Sequence, residues 1–198
     1  MSIADYFPLI RPTYSRYVTS EGQPIYAVLA EFDTPADVYH AAEMVRDAGY
    51  KKWDVHSPFP IHGMEEAMGV KRTLLPWLVG GAALSGFTAA VAMQYFMNAI
   101  DYQFVVQGKD DWAWEAYLPV TFELAVLFSA FAALLGMLSL NGLPRFHHPI
   151  FNSERFLSST DDKYFIAIES KDPRFDPQAT PAVLRDAGAS HIELVEDD

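Results

Sequence analysis

Three polar side chains lie inside two long apolar stretches of the chain, where a polar group needs a partner. Glu123 is the only charged residue between positions 116 and 144. Gln94 and Asn98 lie in the other stretch, four residues apart, so a helix presents both amides on one face. In an antiparallel hairpin, Glu123 would lie at about the depth of these amides. We therefore predict a polar cluster of Glu123, Gln94 and Asn98, with a hydrogen bond from Gln94 to Glu123.

Glu123 is compatible with two roles, because an ionisable group inside a membrane span is costly and usually has a polar partner or a path to water. It either contributes to a proton path near the outer leaflet or accepts a structural hydrogen bond from a neighbouring subunit. The residues themselves leave both roles open.

Four histidines flank the apolar stretches and raise the question of a metal site or a proton relay. They lack the tight spacing of a metal-binding pair, and neighbouring prolines indicate surface turns. The chain has no cysteine, which excludes cysteine-ligated iron–sulfur clusters, covalent haem attachment and a thiol nucleophile. No phosphate loop or dinucleotide-binding motif is present. We predict no catalytic, cofactor-binding or metal-binding residue in this chain. The four histidines are His56, His62, His147 and His148.

The three side chains of the predicted polar cluster belong to two predicted membrane spans, at about 74–100 and 116–142. A hydrocarbon core of about 30 Å requires about 20 apolar residues of helix, and both stretches are long enough. Lys71 and Arg72 precede the first span and Arg145 follows the second, so the positive-inside rule predicts that both termini are cytoplasmic.

Small residues recur every fourth position in both spans and permit close helix contact. They either pack the hairpin on itself or receive a larger membrane partner, and two such faces favour the partner. The residues are Ala82, Gly86 and Ala90 in the first span, and Ser129, Ala132, Ala133 and Gly136 in the second.

The polar regions on either side of the hairpin each predict a βαβ unit. In the first, residues 25–32 form a strand, Thr34 caps a helix that ends before Gly49, and residues 52–56 form a second strand. In the second, strands at 164–169 and 191–195 flank a helix at about 181–187. The tetrapeptide RDAG ends both helices, at 46–49 and 185–188.

Together these units predict an α+β protein with a membrane insertion, in which a ferredoxin-like βαβ-βαβ cytoplasmic domain is split by a two-helix transmembrane hairpin. The predicted organisation is an N-terminal arm at 1–24, a first half with an interfacial segment at 25–72, the hairpin at 73–144, and a linker with the second half at 145–198. The arm carries aromatic residues that either dock onto a partner or are loosely ordered: Tyr6, Phe7, Tyr14 and Tyr17.

Three stretches closely resemble the D-type subunit of bacterial alternative complex III, which is its small two-helix membrane subunit. They are residues 57–77 (SPFPIHGMEEAMGVKRTLLPW), 118–128 (LPVTFELAVLF) and 141–156 (NGLPRFHHPIFNSERF). The resemblance weakens in the N-terminal arm and around positions 110 and 111. It implies membership of a complex that oxidises quinol and passes electrons to cytochrome c or a terminal oxidase.

The resemblance further implies that haem c and iron–sulfur clusters lie on partner subunits, and that this chain holds none. Expected partners are large polytopic membrane subunits, a multihaem cytochrome c, an iron–sulfur subunit, a terminal oxidase and the lipid bilayer of the bacterial inner membrane. The net charge of −12 argues against nucleic acid.

Two functions are consistent with these features. The first is a non-catalytic anchoring and assembly subunit of the quinol-oxidising complex, which also contributes to a proton path. The alternative is a membrane-anchored sensor whose ferredoxin-like domain binds a small ligand or a metal.

Overall fold

The computed structural model describes residues 17–19, 22–105, 107–108, 110 and 112–197. Tyr6, Phe7 and Tyr14 of the predicted arm therefore lie outside the described residues. Tyr17 is described, and its hydroxyl donates to the carbonyl of Phe175 at 3.0 Å. The described chain divides into two compact units. One contains residues 72–144, and the other contains the described residues before 72 and after 144.

The second unit is built on a four-stranded sheet in which all neighbouring strands are antiparallel. The strands are β1 Ile25–Phe32, β2 Trp53–His56, β3 Tyr164–Glu169 and β4 His191–Glu196, in the order β2-β3-β1-β4. The helices are α1 Pro35–Asp47, α2 Met64–Met68, α3 Leu75–Tyr95, α4 Trp114–Leu140 and α5 Ala179–Asp186. Each half of the unit has the predicted order of strand, helix and strand.

The ends of α1 follow the local signals in the sequence. The Thr34 side chain accepts a hydrogen bond from the backbone N–H of Asp37 at 3.2 Å, and Pro35 supplies the first helical residue. Gly49 follows the helix with φ +83°, a conformation that glycine adopts without the strain of a β carbon. The helix therefore begins and ends where its caps predict.

Strand β1 is buried along its whole length because both faces of the sheet are covered. Its residues Val28 and Phe32 pack on one side in a core with α1, α2 and α5. On the other side, Leu29 packs against Ile150 and Phe156. These last two residues belong to short 3-10 helices at Pro149–Asn152 and Arg155–Thr160, in the region predicted to be a linker. Such short helices have too few residues to show a hydrophobic period.

The other unit is the α3–α4 hairpin. The first span was predicted to be helical to residue 100. The α-helix ends at Tyr95, and Phe96–Asp101 continue it as a π-helix. The segments Leu75–Asp101 and Trp114–Leu140 are each 27 residues long and apolar enough to cross a membrane. The buried residues of the two helices are Gly86 and Ala90 in α3 and Tyr117 and Thr121 in α4. Of the small residues predicted to allow close helix contact, Gly86 and Ala90 therefore pack the two helices of the hairpin against each other.

Candidate functional site

Gln94 is the central polar residue of the hairpin. Its side-chain amide Nε2 lies within hydrogen-bonding distance of three oxygens: the carbonyl of Ala90 at 3.1 Å, the carbonyl of Tyr117 at 3.3 Å and the hydroxyl of Thr121 at 3.3 Å. Thr121 is buried, and a buried hydroxyl in apolar surroundings is costly unless it is hydrogen-bonded. Gln94 thus connects α3 to α4 and gives Thr121 a polar partner.

Asn98 lies in the π-helix that follows α3 and extends this cluster by one helical turn. Its Nδ2 donates to the Gln94 carbonyl at 2.8 Å and approaches the Tyr117 hydroxyl at 3.5 Å. The structure therefore brings Gln94 and Asn98 together, as predicted from their spacing. Both side chains are neutral amides and do not titrate. Their contacts with Tyr117 and Thr121 connect the two helices.

Glu123 does not join this cluster. It lies two residues beyond Thr121, which is about 200° around the helix at 3.6 residues per turn. Its side chain is exposed on the outer side of α4 and makes no hydrogen bond or ion pair with the described residues. The predicted hydrogen bond from Gln94 to Glu123 is wrong, because the rotation of α4 turns Thr121, and not Glu123, toward α3.

A second candidate site is a cavity of about 320 Å³ beside the sheet. Tyr26 contributes from β1, His56 from β2 and Glu169 from β3, while His148 comes from the segment that covers the sheet. Two of the four histidines that flank the apolar stretches are therefore in one site. His62 and His147 do not line the cavity.

The hydrogen bonds of His148 indicate which of its two ring nitrogens carries the proton. The backbone N–H of Ile150 donates to Nδ1 at 3.3 Å, and a ring nitrogen that accepts a hydrogen bond carries no proton. We infer that the neutral ring has its proton on Nε2, which lies 3.1 Å from the Tyr26 hydroxyl and donates to its oxygen. The ring also meets Tyr26 edge to face.

Burial dominates the electrostatics of this cavity. It lowers the pKa of His148 to about 4, with a further contribution from Arg145, and it also lowers the pKa of His56. Burial raises the pKa of the Glu169 carboxyl and, together with the charge of Glu169, that of the Tyr26 hydroxyl. At neutral pH both imidazoles are therefore uncharged and offer one donor and one acceptor each.

Charged side chains also line the cavity, namely those of Lys51, Lys52 and Asp54. Among the described residues, no three histidine or carboxylate side chains are arranged to hold a metal ion. Sequence reasoning missed Tyr26 and Glu169 because both lie in strands that it assigned to the core. Their positions near the end of a mostly apolar strand were the signal that could have found them, with Tyr26 near the start of β1 and Glu169 at the end of β3.

Comparison with known proteins identifies the family. A family model described as "Alternative complex III, ActD subunit" matches residues 26–194. The match includes both halves of the sheet unit and the whole hairpin, so it covers most of the 198 residues. No curated protein matches the chain. The extent of the family match confirms the resemblance seen in the three sequence stretches, and the chain belongs to the ActD subunit family of alternative complex III.

Proposed function

We propose that this chain is a non-catalytic anchoring and assembly subunit of alternative complex III. Family membership makes it a subunit of an oxidoreductase complex in respiratory electron transport. The observation that carries the proposed role is the apolar outer surface of the hairpin. Leu84, Phe122 and Phe131 are 67%, 70% and 55% exposed, respectively. Such a surface is unfavourable in water and requires lipid or protein cover.

The proposed location is the bacterial inner membrane, with two spans and both termini in the cytoplasm. Lys71 and Arg72 before α3 and Arg145 after α4 support this orientation. The chain has no cysteine, so a single introduced cysteine is a unique label. A membrane-impermeant maleimide should label Gln107→Cys in intact spheroplasts and Thr160→Cys only after lysis. The reverse pattern would refute the orientation.

We further propose that the sheet unit belongs to the ferredoxin-like class. The strand order β2-β3-β1-β4 and the two βαβ halves support this assignment. The name of the fold implies no cofactor, because function resides in sites and not in folds. In this proposal the unit packs against other subunits on the cytoplasmic side.

The proposed division of labour leaves the redox groups to the partners. Haem c and iron–sulfur clusters lie on other subunits, since this chain lacks the cysteines that would attach or ligate them. The expected partners within the complex are polytopic membrane subunits, a multihaem cytochrome c and an iron–sulfur subunit, with a terminal oxidase as a further neighbour. Family membership does not favour the alternative role as a ligand-binding sensor.

A proton path through Glu123, Gln94 and Asn98 stays a prediction. Glu123 lies apart from the two amides, so such a path would need titratable groups or water from another subunit. Replacing Glu123 with Gln removes the titratable group and keeps the size of the side chain. In the complex that the variant still assembles, unchanged proton movement per quinol oxidised would show that Glu123 is not part of a path.

Purification through an affinity tag on this chain tests the anchoring role. In a gentle detergent, the eluate should contain haem c absorbance and the other subunits in a constant ratio to the tagged chain. Deleting this chain from the cells should reduce the yield of assembled complex without abolishing the haem content of the separate cytochrome subunit. A colourless eluate that holds the tagged chain alone would overturn the proposal.

A further inference from the structure

Glu123 is the one charged side chain within α4 beyond its first turn, and it points away from the hairpin. Its neighbours on the outer side of the helix are apolar and exposed, including Phe122, Val126 and Leu127. The described part of the chain supplies no donor to its carboxyl group. The polar residues of the hairpin, Gln94 and Thr121, are already bonded to each other on the inner side.

The position of Glu123 along α4 prevents it from reaching water by itself. It lies four residues from the middle of the 27-residue helix, which is about 6 Å at a rise of about 1.5 Å per residue. With the middle of α4 at the bilayer midplane, as the proposed membrane-spanning role implies, the nearer edge of a hydrocarbon core of about 30 Å is about 9 Å away. A glutamate side chain is too short to span that distance, in contrast to the long side chains of lysine and arginine.

We propose that Glu123 docks against a transmembrane helix of another subunit of the complex, and that this helix carries a lysine or arginine at the same depth. Charge complementarity favours this occupant, because an ionised carboxylate inside a membrane is stabilised by a paired cation that also hydrogen-bonds it. A protonated carboxyl group would need only a hydrogen-bond partner, and Glu123→Gln distinguishes the two cases. Phe122 and Val126 supply the apolar contacts on either side of the ion pair. This inference rests on the proposed membrane-spanning role of the hairpin.

Three variants of the tagged full-length chain test the ion pair. Glu123→Leu and Glu123→Gln should each reduce the haem c that co-purifies per tagged chain at least tenfold, because both leave the partner's cation unpaired. The third, Glu123→Leu with Leu127→Glu, keeps the composition and moves the carboxyl group by one helical turn. It should restore co-purification at most in part, because the partner's cation would have to move by about 6 Å to reach the displaced carboxyl group. All three should insert in the membrane at the normal level, since Glu123 makes no contact within the described chain.

The outcomes separate this inference from the proposed function. If the wild-type chain does not co-purify with the complex, the proposed function fails. If the wild-type chain co-purifies and Glu123→Gln does so equally well, the partner group is not a cation and the inference is overturned. Full co-purification of Glu123→Leu, or of the variant with the moved carboxyl group, would overturn it as well. If the inference holds, mass spectrometry of the wild-type eluate should identify a protein of the complex that has a lysine or arginine inside a predicted span.

Discussion

Gly86 of α3 lies directly against the backbone of Leu124 in α4. A β carbon at position 86 would stand 2.5 Å from the Leu124 carbonyl oxygen and 3.1 Å from the α carbon of Ala125. Gly86 is buried, and one turn further along α3 the buried Ala90 continues the same face. The absence of a side chain at this point therefore allows the two helices to approach closely.

Gly86→Ala should destabilise the hairpin by about 1–3 kcal/mol, the usual cost of inserting atoms into a packed interface. The neighbouring atoms belong to backbone, which cannot rotate away as a side chain would. Unfolding of the purified protein in increasing SDS, followed by tryptophan fluorescence, measures the change. Gly81→Ala is the matched control, because a β carbon at position 81 meets nothing within 4 Å. Equal stability of the two variants would contradict the close contact.

Gln94→Met should weaken the hairpin by about 1 kcal/mol, the typical value of a side-chain hydrogen bond between membrane helices. The substitution keeps the length of the side chain and removes the donor shared by Thr121 and the Tyr117 carbonyl. The same SDS titration applies. Gln103→Met serves as the control, because Gln103 is exposed and donates to the carbonyl of Ala99 within its own segment. No difference between these variants would mean that Gln94 does not tie the helices together.

Asp172→Asn should destabilise the sheet unit by about 2–3 kcal/mol. Asp172 is 5% exposed, and its carboxylate accepts the backbone N–H groups of Lys51 at 2.5 Å and Lys52 at 2.7 Å. It also accepts the N–H of Arg174 at 2.7 Å. The residue thereby connects the second half of the unit to the start of β2 in the first half, and an amide cannot accept all three bonds.

Hydrogen exchange of the full-length protein in detergent, read by mass spectrometry, measures this effect. Peptides that contain β2 and β3 should exchange faster in Asp172→Asn than in the wild type. Asp162→Asn changes an exposed carboxylate in the same way and should leave exchange unaltered. If β2 and β3 exchange at the wild-type rate in Asp172→Asn, the connection contributes little to stability.

The sheet unit should lose stability as the pH falls from about 6.5 to about 4 because of His148. Its pKa is lowered from 6.5 to about 4 in the folded state, so the unfolded chain binds more protons in this window. The titratable or charged groups that influence the ring are Arg145, His56, His147 and Asp54. The ring is partly exposed, and solvent therefore screens part of the effect. We expect the free energy of unfolding to fall by about 1 kcal/mol.

His148→Gln should reduce this acid sensitivity while keeping a donor that can reach the Tyr26 hydroxyl. The lowered pKa of His56 acts in the same direction as that of His148 and is common to both proteins. Glu169 acts in the opposite direction, because a raised carboxyl pKa stabilises the folded state at low pH, and it is common to both proteins. Melting temperatures of the full-length protein between pH 7 and pH 5 provide the comparison. The same decrease on acidification in both proteins would contradict a role for His148.

The strands and helices were predictable because their signals are local. Thr34, Pro35 and Gly49 mark the ends of α1 within a few residues of chain, and the length of the uncharged stretches identifies α3 and α4. The short 3-10 helices over the sheet were not predictable in this way. They carry no period, and they form because Ile150 and Phe156 bury apolar surface against strand β1.

Sequence patterns alone predicted the order of the elements, the two long apolar helices, the absence of cysteine ligands and the resemblance to the family. The tertiary structure decided which polar groups meet. Gln94 bonds Thr121, and Glu123 is left outside, because the packing of Gly86 against α4 sets how that helix is rotated. Tyr26 and His148 are 122 positions apart and share a hydrogen bond because the fold brings β1 and the segment after α4 together. Local propensity acts over a few residues, whereas such pairings depend on packing between distant parts of the chain.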